Sequence, residues 1–226
     1  MLRGMMILAA MAGAILLAGA APKGSPDAAT TPPAPVYDAE GFAPGLAAHY
    51  YRDEDHWGGK WADNASTPGT PAADHTFSRY KYTRVEPLIS HLFINRGWFS
   101  VRWQGYLTVP AGDAGAMFTY KFHLLADDGC RLFIDGEKLI DDWRPCSENA
   151  PDALRTATKA LKAGRHKLVV EYFQGQSLSA NDRDPIRFSW ECKARGLKPT
   201  VIPETQFSFK QEDLTPPSGR LDGKSK

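Results

Sequence analysis

The chain has 226 residues, with 27 Lys and Arg against 26 Asp and Glu, a formal net charge of +1, and 42% hydrophobic residues. A balanced charge without a basic run leaves no electrostatic footprint for nucleic acid and no polybasic patch for an anionic membrane surface. The length is ample for a single core without disulfide staples.

Residues 1–20 read as a signal peptide: a short basic start at Arg3, an apolar run from Met5 to Leu17, then the small residues Ala18-Gly19-Ala20. The run is short for a spanning helix, and no later segment is apolar enough to cross a bilayer. With no Cys at a lipid-attachment position, the mature chain is expected to be exported, soluble and close to neutral. Residues 21–41 hold five prolines among Ala, Thr and Ser and read as a disordered tether. A single domain is expected over 42–210, followed by a disordered tail over 211–226, where Pro216-Pro217 and two glycines interrupt the charges.

Within the domain the apolar period is two. Leu46 to Tyr51 opens it, and the segment Asp53 to Thr83, with Gly58-Gly59, Pro68-Gly69 and Pro71, reads as a long irregular loop. Phe99, Val101, Trp103, Leu107 and Val109 then share one strand face, with Ser100, Arg102, Gln104, Tyr106 and Thr108 on the other. Gly105 interrupts the apolar face, a place where another backbone can approach closely. Phe118 to Leu124 alternates next, then Cys130, Leu132 and Ile134, closed by an Asp135-Gly136 hairpin turn. Pro151 to Ala160 fits either a helix or a strand running into Ala163-Gly164. Leu168, Val170 and Tyr172, then Ile186, Phe188 and Trp190, complete the set. Repeated short alternating segments divided by Gly, Pro and Asp predict an all-β fold, an antiparallel β-sandwich or barrel with long loops.

Cys130, Cys146 and Cys192 are an odd number in an oxidising compartment, which fits one disulfide and one thiol. Cys130 is in phase with core positions, so Cys146 with Cys192 is the expected pair. None of the six histidines has zinc-ligand spacing, no G-x-S-x-G elbow is present, and no pair of carboxylates stands out for glycoside hydrolysis. No catalytic constellation stands out, and the chain is not expected to be an enzyme.

The order of these segments resembles a known family. Gly45 to Tyr51, Phe99 to Leu107, Phe118 to Leu125, Asp127-Asp128-Gly129-Cys130-Arg131-Leu132-Phe133-Ile134-Asp135-Gly136, Leu139 to Trp143, Leu161 to His166, Val170 to Phe173 and Phe188-Ser189-Trp190 resemble the protective antigen fourteen-kilodalton (PA-fourteen) domain family. The resemblance runs from Gly45 to Phe209. It implies a β-sandwich or barrel of the kind carried by adhesins, toxins, cell-surface proteins and, as an accessory domain, glycosidases. In sugar-binding members two adjacent Asp residues, joined by a cis peptide, hold calcium that contacts sugar hydroxyls.

Carried onto this chain, the resemblance makes calcium the expected cofactor, with Asp127 and Asp128 as ligands. Calcium takes six to eight oxygens, so the loop after Phe173 must contribute. Gln174 stands where sugar-binding relatives have Asn, and Asn181 and Asp182 follow. The expected metal ligands are Asp127, Asp128, Gln174 and Asn181, with Asp182 and Trp143 contacting the ligand. The same Asp-Asp-Gly also suits a turn in which carboxylates cap backbone N–H groups. Likewise Asp141-Asp142-Trp143 reads either as a second acidic site with a sugar-stacking ring or as a loop anchored by a buried Trp, and Trp57, Trp61 and Trp98 as sugar platforms or as core. Two functions follow: calcium-dependent glycan binding at the cell envelope or outside the cell, or a structural or protein-interaction module of the envelope without sugar. A glycosidase-associated accessory role is a third.

Overall fold

The computed structural model describes residues 34–53, 76–94, 97–112, 115–175 and 183–217. The expected signal peptide, Trp57, Trp61, Asn181 and Asp182 lie outside the described residues. In chain order the strands are β1 (Phe42–Pro44), β2 (Leu46–Arg52), β3 (Arg79–Glu86), β4 (Ser90–Ile94), β5 (Phe99–Val109), β6 (Met117–Ala126), β7 (Gly129–Ile134), β8 (Glu137–Asp142), β9 (Leu154–Lys162), β10 (Gly164–Gln174), β11 (Arg183–Cys192), β12 (Leu197–Val201) and β13 (Phe207–Lys210). They form two antiparallel sheets in a sandwich, as the period-two alternation predicts.

Each sheet is organised around one long strand whose outer edge is divided between two shorter partners. β5 pairs with β10 over its full length, from Phe99↔Gln174 to Val109↔Gly164. Its other edge passes from β2, which ends at Gln104, to β13, which begins at Tyr106. The handover falls on Gly105, where a Cβ would sit 2.5 Å from the Ser208 carbonyl oxygen. The close approach expected at this glycine is therefore made by the β13 backbone. In the second sheet β11 pairs with β6 on one edge and shares the other between β4 and β12.

The core fills the space between the sheets. Trp103, Leu132, Leu168 and Tyr172 from the larger sheet meet Phe122, Leu124, Phe188 and Trp190 from the smaller, all buried. Cys130 joins them, in phase with Leu132 and Ile134. Asp135 and Gly136 both have positive φ, 54° and 81°, and turn β7 into β8, a hairpin that the Asp-Gly pair predicts.

Several boundaries differ from the sequence reading. Arg79 to Thr83 belong to β3 and not to a loop; of the two alternatives for 151–160, strand β9 begins at Leu154 after a turn. The tether ends earlier than 41: the Tyr37 ring packs edge-on to Phe209, and Asp38 pairs with Arg165. The tail begins later than 211, because Gln211–Leu214 is a 3-10 turn with Asp213 buried. Its carbonyl oxygen accepts bonds from His49 Nε2 (3.0 Å) and Gln104 Nε2 (2.9 Å), which ties it to the outer face of the larger sheet.

Cys146 and Cys192 do not pair; all three cysteines are buried thiols. Cys146 donates its N–H to Asp128, beside which Asp127 bonds Pro185, at the beginning of β11. Cys192 ends the same strand seven residues later, about 23 Å away at 3.3 Å per residue. No disulfide spans that distance.

Candidate functional site

Asp127 and Asp128 connect β6 to β7 at one end of the sandwich, and the peptide bond between them is cis. Their backbone is held from three sides. Asp127 N–H donates to the Pro185 carbonyl (3.0 Å), Asp128 N–H to the Phe173 carbonyl (3.3 Å), and Arg155 donates to the carbonyls of Ala126 (2.6 Å) and Asp128 (3.3 Å). The Tyr172 hydroxyl donates to the Asp127 carbonyl. Gly129 follows because nothing larger fits: a Cβ there would lie 2.1 Å from the Phe173 ring.

Both carboxylates turn to the loop that follows β8. Asp127 Oδ2 accepts the N–H of Glu148 (2.8 Å) and Asp128 Oδ1 that of Cys146 (2.8 Å). Asp128 Oδ2 accepts the N–H of Gly175, just past β10, also at 2.8 Å. Burial raises Asp128 to about 7, against the two N–H bonds that lower it, and the charges of Asp127 and Asp184 raise it further. Three carboxylates therefore sit within electrostatic reach of one another. Asp184 is itself buried and enters from β11.

Of the residues the sequence singles out, the structure brings Asp127, Asp128 and Gln174 together. Gln174 is buried, with its Oε1 2.9 Å from the Tyr172 hydroxyl. That hydroxyl has one proton and already donates it to Asp127, so the network is consistent when the Gln174 amide presents its NH2 to Tyr172. Its oxygen then turns away from the tyrosine.

Trp143 is a correction. It is 8% exposed, packed edge-on to Phe173 at 4.8 Å and stacked on Phe77 at 5.7 Å, with the Arg131 guanidinium 4.3 Å from its ring. Both faces are taken by the protein, so it anchors the loop and offers no platform to a sugar. Trp98, 9% exposed, belongs to the same small cluster. Asp141 and Asp142 are also no second cation site. Asp141 pairs with Arg131 at 2.7 Å, and Asp142 with Arg144 and Arg155, each at 2.7 Å.

The contrast shows what distinguishes the first pair: Asp128 receives backbone N–H dipoles where Asp141 and Asp142 receive full cations. A carboxylate oxygen that accepts one N–H keeps a lone pair for a metal. An all-oxygen donor set of this charge suits a hard cation such as calcium. Among the described residues no group of three or more His, Cys, Asp or Glu is arranged to hold a metal ion, so further oxygens must complete any such site. Residues the sequence reading did not assign to the site are Tyr172, Arg155 and the loop N–H groups of Cys146 and Glu148. Tyr172 reads as a core residue in its alternating strand, and the others carry no local signal.

Comparison with known proteins agrees with this fold. The chain is 28% identical over 140 residues to the anti-sigma-I factor RsgI3 of Acetivibrio thermocellus, covering 58% of this chain and 19% of that protein. Among solved structures it is similar to an anti-sigma factor domain-containing protein (TM-score 0.55, 23% identity, 79% of this chain and 50% of that one). It is also similar to the epithelial adhesin 9 A domain of Candida glabrata in complex with Galb1-3GlcNAc (TM-score 0.53, 11% identity, 78% and 94%). The chain thus spans about a fifth of the curated relative and half of the first of these structures. The sequence profile of the PA14 domain matches residues 62–202, well over half of the chain, and the chain belongs to the PA14 domain family.

Proposed function

We propose that this PA14 domain is an exported, non-catalytic binding module that holds calcium at Asp127 and Asp128 and uses it to bind glycan hydroxyls. The observation that carries the reading is the convergence of the two carboxylates on one loop, through the N–H groups of Cys146 and Glu148, with Asp184 close enough to raise Asp128. Negative charge gathered at one buried point favours a cation. Bound calcium would supply coordination positions for vicinal hydroxyls. The chain's own part is to hold the two carboxylates, which Arg155, Tyr172 and the Gly175 N–H do. The adhesin complex with a disaccharide lends the glycan half its support, and the anti-sigma relatives leave the whole protein's partners open to either sugar or protein.

The test is thermal or urea unfolding with calcium and with EDTA. Calcium at a hundred times its dissociation constant should stabilise the wild type by about 2.7 kcal/mol. Asp127→Asn/Asp128→Asn should abolish that gain. A wild type whose stability ignores millimolar calcium refutes the metal reading, and a glycan array run with and without EDTA tests the sugar half.

A further inference from the structure

Among the described residues β3 and β4 are edge strands: β3 pairs there with β2 alone and β4 with β11 alone. They border a cleft of about 570 Å³ on the side of the sandwich, floored by Tyr50 and Phe99. Six of the eight residues of β3 are exposed. Of the eight large hydrophobic side chains exposed among the described residues, five are on these two strands: Tyr80, Tyr82 and Val85 on β3, Leu92 and Ile94 on β4. Such a concentration on open sheet edges marks a contact surface.

The exposed charge of β3 is positive. It carries Arg79 and Lys81, while its third cation, Arg84, pairs with Glu86 at the cleft. The sole acid of β3 and β4 is Glu86, which is buried and occupied by Tyr50, Trp103, Arg84 and His91. Like charges would face each other if β3 paired with its copy in another molecule, which disfavours self-association. An acidic strand would meet the same residues as opposite charges. Its alternate side chains would enter the cleft, where the exposed Tyr82 ring is backed by Tyr50 at 4.9 Å.

We propose that the open edge of β3, with the adjoining cleft, binds an extended acidic peptide segment of a partner protein by strand addition. Main-chain bonds to β3 supply affinity, and the cations and tyrosines select acidic residues alternating with apolar ones. The site is separate from Asp127 and Asp128 and needs no metal.

The experiment is a fluorescence-anisotropy titration of the full chain, in EDTA, with a labelled peptide of alternating Glu and Val. Binding should weaken with salt and fall about fivefold to tenfold in Arg79→Glu/Lys81→Glu, whose side chains are exposed and leave the fold intact. Leu92→Asp, on the facing strand, should weaken it as well. Amide hydrogen exchange should slow along β3 when the peptide is bound. A Lys-Val peptide that binds equally well overturns the proposal, as does full retention of affinity after N-methylation of the peptide backbone. Displacement by an anionic oligosaccharide as effectively as by the unlabelled peptide would assign the surface to glycan and overturn it too. Because calcium is absent throughout, failure here leaves the calcium-stabilisation test unaffected, and the reverse holds.

Discussion

Gly129 illustrates how one position serves both fold and site. In the sequence it reads as a turn residue after two aspartates. In the structure it lies opposite Phe173 on β10, and the phenyl ring occupies the space a side chain would need. That ring packs against Trp143, while the Phe173 carbonyl accepts the Asp128 N–H. Gly129→Ala should therefore cost about 1–3 kcal/mol through overpacking. It should also reduce the calcium-dependent gain, because displacing Phe173 moves the backbone that holds Asp128. Urea unfolding with and without calcium reads both effects. A variant as stable as wild type would show that the ring shifts freely, and that the glycine is kept for backbone reasons alone.

At the level of elements, the larger sheet carries a polar row across five strands on its outer face. Arg131 on β7 faces Glu171 on β10, which faces Arg102 on β5, then His49 on β2 and Thr83 on β3. Glu171 accepts Arg102 Nε at 2.8 Å and lies 3.3 Å from Arg131 Nη1. Arg102 and Glu171 are no more than 1% exposed, and the Phe77 ring lies 4.5 Å from the Arg102 guanidinium. Alternation in β5 showed that Arg102 is on the face away from the core, but not that this face is covered too. Glu171→Gln should destabilise the domain by about 3 kcal/mol or more, since two buried guanidiniums would lose their shared counter-charge. Chemical denaturation of the variant checks this. A loss below about 1 kcal/mol would mean that water enters and solvates the arginines.

For the molecule as a whole, two buried groups set opposing responses to pH. Burial raises Asp53 to about 7, against the bond from the Ser100 hydroxyl that lowers it. Its folded form holds a proton more tightly than the unfolded chain, so its contribution to stability is complete below about pH 4 and is lost as pH rises through 7. Burial lowers His49 to about 4. The neutral ring favoured by the fold contributes fully above about pH 6.5, and that contribution is lost as pH falls through 4. In EDTA, the wild type should lose more stability than Asp53→Asn between about pH 5 and pH 8, by on the order of 2 kcal/mol. Urea titrations at the two pH values provide the measurement. Parallel profiles would show that Asp53 ionises in the fold without penalty.

The amino-acid order alone determined the all-β class, the central strands, the Asp135-Gly136 hairpin and the close approach at Gly105. Each depends on period-two alternation or on a turn residue, and both are local. It also located the Asp127-Asp128-Gly129 turn and, through resemblance, the family. Tertiary structure alone decided that Cys146 and Cys192 are a strand-length apart, that Trp143 is enclosed, and that Asp141 and Asp142 are neutralised by arginines. It also brought the N–H groups of Cys146, Glu148 and Gly175 to the carboxylates. Those outcomes depend on contacts between segments distant along the chain, and on whether a carboxylate meets a full cation or a backbone dipole there.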